Sequence, residues 1–205
     1  MRLKNDKIRD YVVSKLNQDW SPEQIAGRIG IEHRPSEVET RARFGDWEAD
    51  TLISRRSRAA ILTMVERSSR LVQVERLDAR TASLTSQAMI NCLIRFPKDA
   101  RRTLTLDNGP ENAEHEVISK ETDIRCFFCE PYSSWQRGTN EHTNGLVRQY
   151  LPKKTDFAII SSEEIKLIES RLNNRPRTEG RRMRSKCLDY KTPLEVANLC
   201  VALQR

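Results

Sequence analysis

At 205 residues, the chain is long enough for one buried domain plus a small appendage, and 37% hydrophobic against 32% charged residues gives it a modest core under a very polar surface. The longest nearly apolar run, residues 59–65, is far too short to cross a bilayer, and Met1 to Lys7 open onto no apolar stretch of signal-peptide length, so a membrane or exported protein is not expected. A formal charge of +7 and a pI near 9.3 suit a polyanionic partner, although a solvated basic face gives the same numbers.

Taken in chain order, residues 1–40 read as helical and separate. Ser21 offers an N-cap with Pro22 at the first helical position, and Glu32-His33-Arg34-Pro35-Ser36 reads as a linker. From Trp47 the period changes to that of strands. Trp47, Ala49, Thr51 and Ile53 share one face, and Glu48 and Asp50 the other. Runs at 61–65 and 71–77, joined through Arg67-Ser68-Ser69-Arg70, predict a hairpin. Leu84, Ala88 and Cys92 predict a helix over 81–95; 103–106 and 124–128 read as strands, and 111–118 as more helical than extended. A helix is expected over 140–150. Ser161 to Glu164 and Thr192 to Glu195 are capping boxes that open two more. A meander followed by alternating units implies an α/β protein with a mixed sheet covered by helices.

Three acids stand in distinctive contexts: Asp50 in Gly45-Asp46-Trp47-Glu48-Ala49-Asp50, Asp107 in Asp107-Asn108-Gly109, and Glu141 in Gly138-Thr139-Asn140-Glu141. Between the first two lie 56 residues, and between the last two 33. Carboxylates gathered from distant segments are what a pair of Mg²⁺ ions needs for in-line attack on a phosphodiester. Each acid alone also has a plainer account. Asp46, Glu48 and Asp50 could line the solvated face of an edge strand, and Asp107 could precede an Asn-Gly turn. In a helix, Glu141, Asn144, Gly145 and Arg148 share a face. Gly145 costs roughly 1 kcal/mol there relative to alanine, which implies a close approach by something.

Candidate DNA contacts are Asn140, Asn144, Arg148, Lys153, Lys154, Arg175, Arg177, Arg181 and Arg182, the last four in a basic run that continues through Arg184 and Lys186. Trp135 could stack on a base, with burial in the core as the plainer expectation. Cys126 and Cys129 have zinc-like spacing but no second pair, and residues three apart on a strand face opposite ways, so buried thiols are expected.

Six blocks carry a resemblance over about residues 20–200. They are Gly45 to Asp50, Asp107-Asn108-Gly109, Pro131-Tyr132-Ser133-Ser134-Trp135, Gly138 to Glu141, Asn144 to Tyr150, and Leu172-Asn173-Asn174-Arg175-Pro176-Arg177. In this order they resemble the catalytic core of bacterial insertion-sequence transposases of the insertion-sequence-thirty family, within the retroviral-integrase superfamily. The resemblance implies a ribonuclease-H-like five-stranded fold. It also implies an acidic triad matched by Asp50, Asp107 and Glu141, holding two Mg²⁺ or Mn²⁺ ions roughly 3.5–4 Å apart. Glu48 belongs to the first motif but not to the triad.

The implied activity is strand cleavage at the element's end followed by strand transfer into target DNA. The implied setting is a homo-oligomer in the bacterial cytoplasm, on the nucleoid. The expected division is a shortened helical DNA-binding remnant and linker over 1–40 and a catalytic core over 41–205. Two departures stand out. The N-terminal helical region is short, and residues 178–185 interrupt an otherwise continuous Arg177-Lys186-Cys187-Leu188 motif. The alternatives are a non-catalytic DNA-binding derivative or inhibitor of transposition, and a simple nuclease of the same fold.

Overall fold

In the computed structural model, residues 6–17, 22, 27–130, 133–176, 188 and 190–203 are described. The expected cap at Ser21, the bases Arg177, Arg181, Arg182, Arg184 and Lys186, and the 178–185 segment lie outside them.

Five strands form one mixed sheet: β1 (Asp46–Ile53), β2 (Ala60–Glu66), β3 (Val72–Leu77), β4 (Thr103–Leu106) and β5 (Arg125–Phe128). Their order is β3-β2-β1-β4-β5. The first three make the antiparallel meander, and β4 and β5 run parallel to β1. At the expected hairpin, Glu66 accepts bonds from Ser69 N (2.6 Å) and Ser69 Oγ (2.7 Å). Strand β2 is apolar on both faces and buried along its length, as a strand covered on both sides must be.

Helices cover both faces. After α1 (Asp6–Leu16) and the single turn α2 (Glu37–Thr40) come α3 (Ala82–Leu93), α4 (His115–Thr122), α5 (Gly138–Tyr150), α6 (Ser162–Asn173) and α7 (Pro193–Leu203). One core joins Trp47, Ala49, Leu62, Met64 and Leu104 to Met89 and Leu93 of α3 and Ile118 of α4. The other joins Leu52, Ile61, Val65 and Val72 to Val147 of α5 and to Ile165, Ile168 and Leu172 of α6.

Local chemistry sets the ends of these elements. Thr81 caps α3 by accepting from Leu84 N. Both capping boxes form: Ser161 and Glu164 exchange bonds of 2.9 and 3.2 Å, and Thr192 and Glu195 bonds of 2.7 and 3.1 Å. Helix α6 also pins the edge strand. The Asn173 side chain accepts from Val72 N (2.8 Å) and donates to Val72 O (2.7 Å), and Glu169 accepts from Val74 N (2.7 Å). The amide of Asn173 thus supplies β3 with the pairing a further strand would give.

Gly45 enters β1 at φ +112°, and a Cβ there would meet the backbone of Asp99 and Ala100 at 3.1 Å. This accounts for the glycine of the first motif. Residues 27–40, assigned from sequence to the linker and the end of the helical segment, lie against the sheet. Gly30 bridges to Phe128, the buried Arg34 donates to Thr105 Oγ1 (2.7 Å), and Val38 is fully buried. Cys92, Cys126 and Cys129 are free and buried, as expected. Burial pushes their thiols up to about 12, 11 and 11, which leaves them unreactive.

Candidate active site

The solvated-edge account of the first motif does not hold, because β1 is the central strand. Asp46 is buried, accepting from Thr103 Oγ1 (2.7 Å) and Arg43 Nε (2.9 Å). Glu48 is buried as well, paired with Arg67 at 2.9 Å and accepting from Asn140 N at 2.8 Å. That bond satisfies one of the otherwise unpaired N–H groups in the first turn of α5. Both acids hold the fold together, and Asp50 alone of the three carries a partly exposed carboxylate.

The parallel register sets two of the candidate acids side by side. Asp46 lies opposite Thr103 and Glu48 opposite Thr105. Continued in the same direction, that register brings Asp50, in the middle of β1, towards Asp107, the residue after β4 and so at the carboxyl end of that strand, where open α/β sheets place their ligands.

Each carboxylate is oriented. Asp50 accepts from Thr51 N (2.9 Å) and from Asn144 Nδ2 (2.8 Å), and Asp107 accepts from Gly109 N (3.1 Å) and Asn112 Nδ2 (2.7 Å). Between them lies Arg137, whose Nη1 is 3.2 Å from Asp50 Oδ1 and whose Nη2 is 3.2 Å from Asp107 Oδ2. Burial raises the pKa of Asp50; Arg137 opposes that rise and the Asp107 charge adds to it. For Arg137 burial works against the charge, yet the two aspartates outweigh it and raise its pKa.

Glu141 is placed differently. It is exposed in the first turn of α5, and no hydrogen bond or ion pair joins it to either aspartate; among the described residues no three His, Cys, Asp or Glu side chains are grouped as a metal ion would need. It does stand three residues before Asn144, whose amide touches Asp50, and residues three apart on a helix are surface neighbours about 5–6 Å apart at Cβ. The donor set is all carboxylate, the oxygen ligands that Mg²⁺ and Mn²⁺ prefer, and both aspartates remain partly exposed. The residues therefore fit a hard divalent ion, provided Arg137 gives way and Glu141 turns inward.

Several expected DNA contacts are corrected. Asn140 is fully buried: its Nδ2 donates to Thr63 O (3.2 Å) and its Oδ1 lies 3.0 Å from Thr63 Oγ1. Asn144 divides its amide between Asp50 and Thr63, whose hydroxyl donates to its Oδ1 at 2.7 Å. Neither amide is available to DNA; both tie α5 to the β1–β2 ladder. Arg148 turns back onto the protein, reaching Ile53 O (3.3 Å) and Leu151 O (3.4 Å) over the Phe157 ring. Lys153, Lys154 and Arg175 are exposed, as a phosphate contact requires. Trp135 is 71% exposed rather than in the core. A Cβ at Gly145 would meet no described residue within 4 Å, so the close approach expected there is not made within the described protein.

Arg137 and Thr63 are the site residues that sequence reasoning missed. The one available signal was the position of Arg137, a cation immediately before the helix that carries Glu141.

Residues 41–134 match the family model described as Integrase core domain, which includes Asp50 and Asp107 and stops short of Glu141. The chain is 44% identical over 171 residues to the transposase for insertion sequence element IS4351 of Bacteroides fragilis, covering 83% of this chain and 50% of that protein. It is 40% identical over 179 residues to the IS30A transposase of Escherichia coli K12, covering 87% and 44%. The chain thus spans about half the length of these curated relatives. Among solved structures, the catalytic core domain of BIV integrase superposes with TM-score 0.55 at 19% identity, over 77% of this chain and 96% of that one. A chain of the simian T-cell lymphotropic virus intasome superposes with TM-score 0.57 at 17% identity, over 75% and 54%. At such identities the likeness establishes the fold, the expected ribonuclease-H-like one.

Proposed function

The chain belongs to the insertion-sequence-thirty family of transposases, within the retroviral-integrase superfamily, and on that premise we propose that it catalyses metal-dependent cleavage and strand transfer of DNA through Asp50, Asp107 and Glu141. The observation that carries this reading is that Asp50 of β1 and Asp107, just past the end of β4, come close enough to share the Arg137 guanidinium, each at 3.2 Å.

In this reading the three carboxylates hold two Mg²⁺ or Mn²⁺ ions. Bound ions of this kind would supply Lewis-acid stabilisation of the phosphoryl oxygens and make a water or hydroxyl acidic enough to lose its proton, and so become a nucleophile, near neutral pH. The protein's own part is positioning. Asn144 and Thr51 N aim Asp50, Asn112 and Gly109 N aim Asp107, and the Glu48–Arg67 pair fixes the start of the helix that carries Glu141. Lys153, Lys154 and Arg175 grip the DNA backbone and make binding salt-sensitive. Element ends and target DNA are the proposed partners, and self-association is part of the proposal. No helix among the described residues is long and apolar enough to cross a membrane.

The test is a cleavage-and-joining assay on labelled duplex carrying an element end, with Mn²⁺, Mg²⁺ or chelator. Metal-dependent nicked and joined products are expected. A second reading, a DNA-binding derivative without turnover, draws on the separation of Glu141 from the aspartates; it predicts DNA affinity with neither product.

Gly145→Ala separates a DNA-facing helix from a merely exposed one. With no neighbour to meet, the added methyl should stabilise the protein by about 0.5–1 kcal/mol. If α5 lies against DNA, the same variant loses affinity in a filter-binding or anisotropy titration. A more stable variant with native DNA affinity would remove α5 from the DNA surface.

A further inference from the structure

Arg137 makes an unusual use of its guanidinium. A single carboxylate would take both terminal nitrogens in a bidentate pair. Here Nη1 goes to Asp50 and Nη2 to Asp107, each at 3.2 Å, so one cation spans two acids from different strands. Nη1 also donates to Ala49 O (2.9 Å), and Nε is buried with no hydrogen-bond partner among the described residues. The side chain is only 12% exposed. It reaches the acids from the 3-10 turn Ser134–Arg137, which leads directly into α5. The exposed Trp135 stands in the same turn.

Two carboxylates held together repel each other, a cation between them relieves that repulsion, and one guanidinium offsets half of their charge. A divalent ion seeking the same oxygens must displace it. Once displaced, the guanidinium is a mobile cation at the rim of the site, suited to bidentate contact with a phosphate.

We propose that Arg137 is a displaceable counter-ion of the acid pair: it holds Asp50 and Asp107 together in the metal-free protein, yields its place to divalent ions, and then transfers to a phosphate of bound DNA. This inference rests on the proposed metal-binding role of the two aspartates.

The test uses the full chain at pH 8, with Mn²⁺ alone as the first probe. In calorimetric titrations, Arg137→Gln should bind Mn²⁺ about tenfold more tightly than the native chain, because a competing charge within ion-pair distance has gone. Arg137→Lys, which keeps the charge, should stay near native, and thermal melts check that both variants are folded. The second probe is duplex DNA, titrated against salt with Ca²⁺ or with chelator. Arg137→Gln should lower affinity and reduce the salt slope by about one only when Ca²⁺ is present.

Mn²⁺ affinity that is unchanged or weaker in Arg137→Gln overturns the proposal. An equal loss of DNA affinity with and without Ca²⁺ overturns it too, since the arginine would then grip DNA from the start. Asp50→Asn keeps the two claims apart: native Mn²⁺ affinity in that variant defeats the active-site assignment itself, whereas lost affinity there with no effect at Arg137 defeats the counter-ion alone.

Discussion

Asp50→Asn, Asp107→Asn and Glu141→Gln are each expected to lower Mn²⁺-dependent cleavage by at least about a thousandfold, equivalent to about 4 kcal/mol of transition-state stabilisation. Each amide keeps the volume of the acid and most of its hydrogen bonds. An amide oxygen at position 50 still accepts from Thr51 N, and one at position 107 still accepts from Gly109 N. What disappears is the negative charge that holds a divalent ion, so the loss falls on chemistry rather than on folding. Stability provides the control. Because burial raises the pKa of Asp50 in the folded state, its contribution to stability is full below the ordinary value of 3.8 and is lost as pH rises through the folded value. Asp50→Asn should therefore melt no lower than the native chain at neutral pH, and any advantage should vanish on acidification. Initial rates from denaturing gels, set beside melting curves, check both halves. Activity that survives in all three variants contradicts the assignment.

Glu48→Ala should be the most damaging single change to the fold. The carboxylate is buried against Arg67, itself buried, and it accepts the Asn140 N–H at the start of α5. Removing one partner of a buried ion pair costs about 3–5 kcal/mol, because the other charge stays behind without compensation. Arg67 would keep only the exposed Glu39, at 3.3 Å. Glu48→Gln retains an acceptor for Asn140 N and should lose less, which separates the charge from the helix contact. Urea denaturation measures both values. Activity should fall with Glu48→Ala even where the chain is folded, since α5 carries both Glu141 and the Asn144 that aims Asp50. A Glu48→Ala chain of native stability would show that this buried pair does not hold α5 to the sheet.

Much of the scaffold was legible because its signals are local. Capping boxes, the β2 apolar run and the β4 and β5 boundaries depend on neighbours a few residues away, and the structure places them as the patterns did. The character of β1 was not legible in that way. Acids at 46, 48 and 50 alternate like the wet face of an edge strand, and their actual partners, Thr103, Arg67 and Asn140, come from elsewhere in the chain. Asn140 and Asn144 show the same limit, since an amide suited to a phosphate or a base is equally suited to Thr63 and Asp50. Trp135 is the converse case, a large aromatic that composition assigns to the core and the fold leaves in water. The acids stand out by motif and spacing; that Asp50 and Asp107 share one guanidinium depends on long-range packing that no periodicity encodes.

Whether Glu141 joins the other two carboxylates is measured most directly by anomalous diffraction from crystals of the native chain equilibrated with Mn²⁺. Two peaks beside Asp50 of β1 and the end of β4, with carboxylate oxygens of Asp50, Asp107 and Glu141 all among their ligands and Arg137 moved aside, are the predicted result. Mn²⁺ bound with Glu141 still outside, or no peak between the two aspartates, would contradict a shared metal site.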